Sequence, residues 1–555
     1  MASLVGLPTE LLVRCLYFLE YIDLLACRAV NRLLNTVINE SSLLQYTIEL
    51  AAAHAEDNPY CDLPASEKLR QLKARQNGWL YFNVAETIAV DVKHRPSGIY
   101  DFTGGVYLLG EAPHFGGPRP TKGLQYIRLP SLGEARAIRG ELPWHGIDVK
   151  EDIVDVGLAV QEHDLIAVVT HAAIIGPNSR TFISFQILQF STGKPHPLAA
   201  QPVIPVVEAT TLFGHISVGI EIVGDLLVLL LTFPFALDAE DRLYVFDWKT
   251  GDVKLTHTAR GMTYTSFTFL SPTTIVLPNL QAATLELCDL TDPDPGPPPR
   301  LKIHTRLGLP RLYSTCRIMR VGCRGEPNPA PSPRGPRYPR DPAPFHDAPA
   351  DAIIVFNLLI QEQPLLQQLT SVSFVVHRSS LLARLAAGAQ VPWARWGPRA
   401  TRWFDSDDVP TRWITTTCGQ RYVTTADELP SRVTVMDFGR HAVGRALARA
   451  VPVELEDGKR VWVHVLPSTL PDQLNVFEEE VTSELPYVET ISDLEFEYDA
   501  VLMDEERIIG MKMDDVNDRV DQIDILYMSK EEQARPTYRL TEVDYWNSLG
   551  MDDDI

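Results

Sequence analysis

Apolar side chains follow two different rhythms along this chain. Within residues 4–48, 27 of 45 positions are apolar and fall at helical spacing: Leu12, Leu16 and Leu19 at i, i+4, i+7, and Leu11, Cys15 and Phe18 likewise, one position earlier. Pro8 suits a first helical turn, where its missing N–H costs nothing, and Glu10 just behind it favours the helix dipole. Asp23 is a good N-cap for a second helix carrying Leu24, Leu25, Cys27, Val30, Leu33 and Leu34, which runs or bends on into Val37 and Ile38. A third short helix is expected around Leu43 to Ala53. The two stripes give the first helix a wider apolar face than packing on one side requires. Fewer than about 50 residues cannot bury so much apolar surface alone. The excess faces the rest of the chain or another protein.

Residues 54–80 read as a helical connector. Asp57-Asn58-Pro59 breaks any helix, Pro64 can start another, and Leu69, Leu72 and Trp79 follow a weak helical pattern with Lys68, Arg70, Lys73 and Arg75 outward. A solvated spacer is the expectation.

From Thr87 the rhythm becomes short runs of Val, Ile, Leu, Tyr and Phe broken by turns. Asp164 to Val169 precedes Phe185 to Phe190 and a Ser191-Thr192-Gly193 turn, and Asp225 to Leu230 precedes Leu243 to Trp248 and Lys249-Thr250-Gly251. Weaker echoes lie at Thr273 to Leu287, Arg432 to Gly439 and Glu506 to Tyr527. A repeat of roughly 45–60 residues made of about four short strands is what a propeller blade provides. The pattern resembles a degenerate β-propeller of the WD-repeat or kelch kind, although neither signature dipeptide recurs. The fold class is thus α + β multidomain: a three-helix module (1–53), the connector (54–80), a large all-β region (81–528) read as an irregular propeller of six to eight blades, and an acidic tail (529–555). Two stacked β-sandwiches are the alternative. Ring closure removes exposed strand edges, so Ile88 to Val92 is expected beside Ile523 to Tyr527.

Composition narrows the classes. The 42 prolines argue against a long helical repeat, and the longest apolar stretch, Leu226 to Leu237, is interrupted by Pro234 and too short for a membrane span. Glu10, Arg14, Glu20 and Asp23 break any signal-peptide core. The seven scattered cysteines show no C-x-x-C spacing, and reduced thiols in the cytoplasm or nucleus are the better account than a metal tetrad of Cys316, Cys323, His304 and His346. A net charge of −22 opposes general nucleic-acid binding. It is uneven: residues 454–555 hold 28 acids against 8 bases, and residues 300–453 hold 21 bases against 11 acids. These two segments attract one another within one fold or offer opposite faces to a partner. Residues 324–350 contain nine prolines and almost no large aliphatic residue, so a disordered surface excursion is expected.

The order Leu7-Pro8-Thr9-Glu10-Leu11-Leu12, then Leu16 and Leu19, Asp23-Leu24-Leu25, and Cys27-Arg28-Ala29-Val30-Asn31-Arg32-Leu33 closely resembles the F-box. Asn31-Arg32-Leu33 departs from a run that many members write with cysteine, arginine and tryptophan. The resemblance implies a three-helix module that docks on the Skp adaptor of a cullin-based ubiquitin ligase. By position, Leu7, Pro8, Leu11, Leu12, Leu16, Leu24, Leu25 and Val30 make that contact or order the helices that do.

No phosphate loop, dinucleotide fingerprint, nucleophile elbow or H-E-x-x-H motif occurs, and neighbouring acids such as Asp407-Asp408 read as solvated charge. No cofactor, metal or intrinsic enzyme activity is expected. Trp393, Arg395, Trp396, Arg399, Arg402, Trp403 and Trp413 interleave the two residue types that dominate interface energetics. They form either a surface for an acidic or phosphorylated protein substrate or strands whose tryptophans fill gaps between blades. The expected role is substrate recognition within the ligase. An F-box scaffold acting outside ubiquitin transfer, or a propeller enzyme, is the alternative.

Overall fold

The computed structural model describes residues 6–113, 121–174, 180–209, 216–233, 239–330, 343–362, 369–386, 388–405, 415–426, 429–448, 453–454, 460–471, 474–514 and 519–531. The period-3.6 segment forms four helices where three were expected. The Pro8 carbonyl accepts the amides of Leu11 and Leu12 and opens α1 (Thr9–Leu16). α2 (Tyr21–Val30) begins ahead of Asp23, which lies in its first turn instead of capping it. Asn31 then ends the run: its backbone is extended and its side chain accepts the Leu34 amide at 2.9 Å, capping α3 (Arg32–Glu40). Ser41 caps α4 (Ser42–Ala52) in the same way. Leu12, Leu16, Leu24, Leu34, Val37, Ile38 and Leu44 close a core among these helices.

α5 (Ala65–Leu80) corrects the solvated-spacer expectation. Leu72 and Trp79 are buried, and so are Lys68 and Arg75, two of the four bases expected to point outward. The helix leads into a ring of sheets built on four antiparallel strands each, with Ala389–Val391 added in parallel at the edge of blade 4 and Arg460–His464 and Val453–Glu454 added at the edge of blade 6. Blade 1 holds Pro96–Thr103, Val106–Glu111, Thr121–Arg128 and the first part of the long strand His145–Ala159; the second part of that strand begins blade 2, followed by Leu165–Ile174, Arg180–Gln189 and Val203–Ala209. Blade 3 is Ser217–Val223, Leu226–Thr232, Glu240–Asp247 and Val253–Arg260, and blade 4 is Thr268–Ser271, Thr274–Asn279, Thr284–Asp289 and Thr305–Gly308. Blade 5 takes Cys316–Arg324, Ile353–Glu362, Leu369–His377 and Thr401–Asp405; blade 6 takes Thr417–Cys418, Arg421–Thr425, Ser431–Asp437 and Tyr487–Phe496. Blade 7 combines Ala500–Met503, Arg507–Asp514 and Arg519–Met528 with Val84–Asp91 from near the start of the chain. The Gly193 and Gly251 turns both join third to fourth strands, with φ of 65° and 82°, so the Thr-Gly repeat marks equivalent places in blades 2 and 3.

Seven blades among the described residues have seven filled seams, which is the condition for a closed ring. Tyr107 of blade 1 shares a core with Ile525 of blade 7, Leu108 with Val168, Phe185 with Phe246, Val245 with Phe269, Leu287 with Phe356, Val375 with Phe438, and Val435 with Leu526. Closure uses the expected strands, with Ile88 opposite Ile525 and Val90 opposite Ile523. The expected disordered excursion is corrected at both ends. Arg324, Glu326 and Asn328 are tied into the ring and Phe345–Asp347 is a buried strand, while residues 331–342 lie outside the described residues. Among the described residues no helix is long and apolar enough to cross a membrane.

Candidate functional site

The four-helix module keeps an apolar face after its own core is complete. Phe18 is 85% exposed, Val30 70%, Ile22 53%, Leu11 51% and Leu33 45%, and Tyr17 and Cys15 are exposed beside them. Leu11, Cys15 and Phe18 lie along one side of α1 and its C-terminal turn, while Leu12 and Leu16 point into the bundle. The two stripes seen in the sequence therefore have separate destinations.

Of the predicted docking residues, Pro8, Leu11 and Val30 are exposed, Leu7 and Leu25 are half-buried, and Leu12, Leu16 and Leu24 are core. The core three can act only by ordering the helices. Tyr17, Phe18, Ile22 and Leu33 join the exposed face but were not among the predicted residues. Phe18 was recoverable from its place in the Leu11 stripe. Leu33 was not, because the break at Asn31 changes the phase of every later position.

This face belongs to a module fastened to the ring. Ala55–Asp57 pairs antiparallel with Phe345–Asp347 from the connection between the first two strands of blade 5. The Tyr46 hydroxyl of α4 donates to Asp57 Oδ1 at 2.8 Å, and Lys68 Nζ of α5 donates to the same oxygen at 2.7 Å. Deeper in, Arg75 Nη2 reaches Asp347 Oδ1 at 2.7 Å and its guanidinium lies 4.6 Å from the Phe345 ring centre. Burial opposes the charge on Arg75, but Asp347, Glu505 and Glu506 outweigh it and hold the guanidinium above its ordinary pKa. Arg421 of blade 6 donates to Gln76 at 2.7 Å, Trp79 donates to the Glu505 carbonyl at 3.2 Å, and a Cβ on Gly78 would lie 2.4 Å from the Ser529 nitrogen. Arg445 pairs with Glu49 at 3.4 Å, and His441 stacks edge-on against Tyr21.

These contacts fix which ring face carries the helices. In an antiparallel four-stranded blade the first-to-second and third-to-fourth connections share one face, and the second-to-third and inter-blade connections share the other. The helical module meets residues 344–347 and 505, both in first-to-second connections, and 441–445, in a third-to-fourth connection. Among the described residues, none of these contacts uses an inter-blade or second-to-third connection.

The tryptophan–arginine run takes its structural alternative where it is described. Trp393, Trp396 and Trp403 are buried in the seam between blades 4 and 5. Trp393 packs edge-on against Trp396 at 5.4 Å and against Trp403 at 5.5 Å, and Trp403 stacks on Phe374 at 4.5 Å. The Trp396 indole donates to the Gly308 carbonyl at 2.7 Å. Arg402 is buried as well, donating to the Leu485 carbonyl at 2.7 Å and Ser468 Oγ at 2.6 Å. Arg395 and Arg399 are exposed, and Trp413 lies outside the described residues. An indole platform facing solvent is therefore absent at Trp393, Trp396 and Trp403; indole packing needs partners on all sides, and the seam supplies them. Among the described residues no grouping of three or more His, Cys, Asp and Glu side chains could hold a metal ion.

Residues 4–46 match the F-box domain. No curated protein matches the chain's sequence. Similar solved structures include the C-terminal WD40 domain of Sif2 (9% identity, 74% of this chain and 98% of that chain, TM-score 0.28) and the WD40 repeats of RRP9 (6% identity, 80% and 98%, TM-score 0.31). Another is Chaetomium thermophilum Sqt1 bound to the N-terminus of ribosomal protein L10 (10% identity, 78% and 83%, TM-score 0.28). The chain thus carries an F-box domain followed by a propeller, the latter established by its own strand pairing and seams.

Proposed function

We propose that this protein recruits clients to a cullin-based ubiquitin ligase, docking a Skp-type adaptor through α1–α3 and holding a client protein on the ring. The observation that carries the reading is the exposed set Leu11, Phe18, Ile22, Val30 and Leu33 on a module whose interior is already closed. Apolar patches of this kind on small domains mark binding surfaces, and the F-box match supports a Skp-type adaptor as the partner. The chain then breaks and makes no bonds. It raises the effective concentration of the client beside the transferring enzyme, and the fastened junction keeps dock and ring at a fixed separation. The setting is a reducing one, cytoplasm or nucleus, where free thiols such as the exposed Cys15 persist.

The test is co-purification of the full chain with a Skp-type adaptor and cullin, beside Leu11→Asp/Phe18→Asp. The adaptor is expected with the parent and not with the variant, whose ring stays folded. Equal recovery with both refutes the docking face. Adaptor without cullin or ubiquitinated clients refutes the ligase role and leaves an F-box scaffold.

A further inference from the structure

The inter-blade face of the ring carries a cleft of about 1020 Å³ between blades 4 and 5. Its walls come from the connection between blades 3 and 4 (260–262), the second-to-third connection of blade 4 (280–284) and the connection between blades 4 and 5 (308–316). By the connection rule above, these three walls lie on the side of the ring opposite the helical module; Pro392, Trp393, Ala394, Glu478 and Glu479 join the lining from the third-to-fourth connections of blades 5 and 6. Leu280, Leu309, Ile318 and Trp393 form a buried apolar floor, so Trp393 of the candidate run meets the cleft at its edge.

Two independent features single this cleft out. The first is its lip. Met262 is an exposed apolar side chain on a left-handed backbone, φ 61°, a conformation that non-glycine residues hold only when something imposes it. Here Asp241 imposes it: this buried carboxylate accepts the amides of Met262 at 3.3 Å, Thr263 at 2.7 Å and Tyr264 at 3.0 Å. A buried acid is thus committed to presenting a methionine at the surface of a cleft that an exposed Tyr313 also lines. The second is charge. Arg260, Arg311 and Arg317 stand exposed around the apolar floor, and the Arg260 side chain makes no ion pair with a described residue. Glu478 and Glu479 also line the cleft. Glu479 is already engaged, accepting the Arg311 amide at 2.8 Å and facing its guanidinium at 3.7 Å.

An apolar trough with a flexible thioether on its lip and guanidiniums along its rim complements a chain that is apolar at one position and negative around it. We propose that this cleft binds an extended acidic segment of the client protein, with one bulky apolar side chain seated over Leu280, Leu309 and Trp393. The inference rests on the client-recruiting role and names the client's chemistry. Its assay reads peptide binding directly and needs no adaptor, so either idea can fail alone.

The probe is a random 12-residue peptide display library panned on the full chain, followed by fluorescence polarisation of the enriched peptides after fluorescein labelling. The expected peptides place acidic residues around a large apolar one, bind one per chain, and weaken as salt rises from 50 to 500 mM. Arg260→Glu/Arg311→Glu and, separately, Met262→Asp are each expected to weaken binding by about tenfold or more. Adaptor co-purification and melting temperature are expected to stay at parental values. Should the double variant unfold, Met262→Asp alone decides. Enrichment of non-acidic peptides, no enrichment, indifference to the cleft substitutions, or loss of binding on Arg395→Glu/Arg399→Glu instead would each overturn the proposal. So would self-association of the chain through the same residues, which assigns the cleft to a second copy.

Discussion

Replacing Phe18 and Leu11 with alanine tests the docking face in the most discriminating way, because affinity and stability should part company. Burying a Phe or Leu side chain completely is worth about 1.5–3 kcal/mol. Phe18 still has 85% of its surface to lose and Leu11 51%. Scaling the transfer values by those fractions gives about 2–4 kcal/mol for the pair, or a Kd weaker by about thirtyfold to a thousandfold. Neither side chain belongs to the helical core, so the change in folding stability should stay within about 0.5 kcal/mol. Leu24→Ala is the opposite case. It is fully buried, and its loss is expected to cost the module about 2–5 kcal/mol of stability. Titration calorimetry of the full chain with purified adaptor, beside urea unfolding of each variant, measures both quantities. A change below about tenfold for Phe18→Ala/Leu11→Ala, or an affinity loss that merely tracks lost stability, refutes the reasoning.

Arg75→Met strands Asp347 in the buried junction with Arg421 at 3.7 Å as its remaining ion-pair partner, so unfolding should become easier by about 3–5 kcal/mol. Arg75→Met/Asp347→Leu is expected to recover much of that loss in the same urea titration. Burial pushes the Asp101 carboxyl up to about 7 against the pull of Arg324, with Glu326, Glu221 and Asp155 adding to the rise. The folded chain therefore holds a proton that an unfolded carboxyl releases near ~3.9, so that increment of stability is full below about pH 4 and is lost as pH rises through 7. Asp101→Asn cannot ionise and should gain on the parent by about 3 kcal/mol between pH 5 and 8; a difference that does not change with pH rejects this. A Cβ at Gly397 would sit 1.9 Å from Trp393 Cζ3, so Gly397→Ala should displace that indole, lower the melting temperature and reduce tryptophan burial in acrylamide quenching.

What could be read from the residues in order was mostly local or periodic. The Leu11–Cys15–Phe18 stripe was visible because helix geometry converts spacing directly into a face. The closing pair, Ile88 to Val92 with Ile523 to Tyr527, followed from the requirement that a ring have no free edges. The turn glycines Gly193 and Gly251 repeated at matching places. The failures share another cause. Lys68 and Arg75 look solvated at their positions in a weak helix, and nothing nearby shows that Asp347, more than 270 residues away, waits to neutralise one of them. Arg324 and Asn328 look like the edge of a proline-rich loop until Glu221, from blade 3, is placed beside them. Trp393 and Trp396 attract attention as interface residues because the same size and polarisability that suit an interface also suit a gap between sheets. The cleft beside them is assembled from connections of separate blades, and its lip depends on a left-handed methionine that no periodicity announces.

The strand that seals blade 7 imposes a timetable on synthesis. Val84–Asp91 leaves the ribosome more than 400 residues before Arg519–Met528, its hydrogen-bonded neighbour in the sheet. At roughly 5–20 residues per second the interval lasts from about twenty seconds to a minute and a half. Throughout it, a bare strand edge and the adhesive front of α1 are both on offer to the cell. The nascent protein therefore calls for shelter by chaperones, and a transcript interrupted anywhere in that stretch yields a product that displays the helical face while presenting no finished wheel behind it.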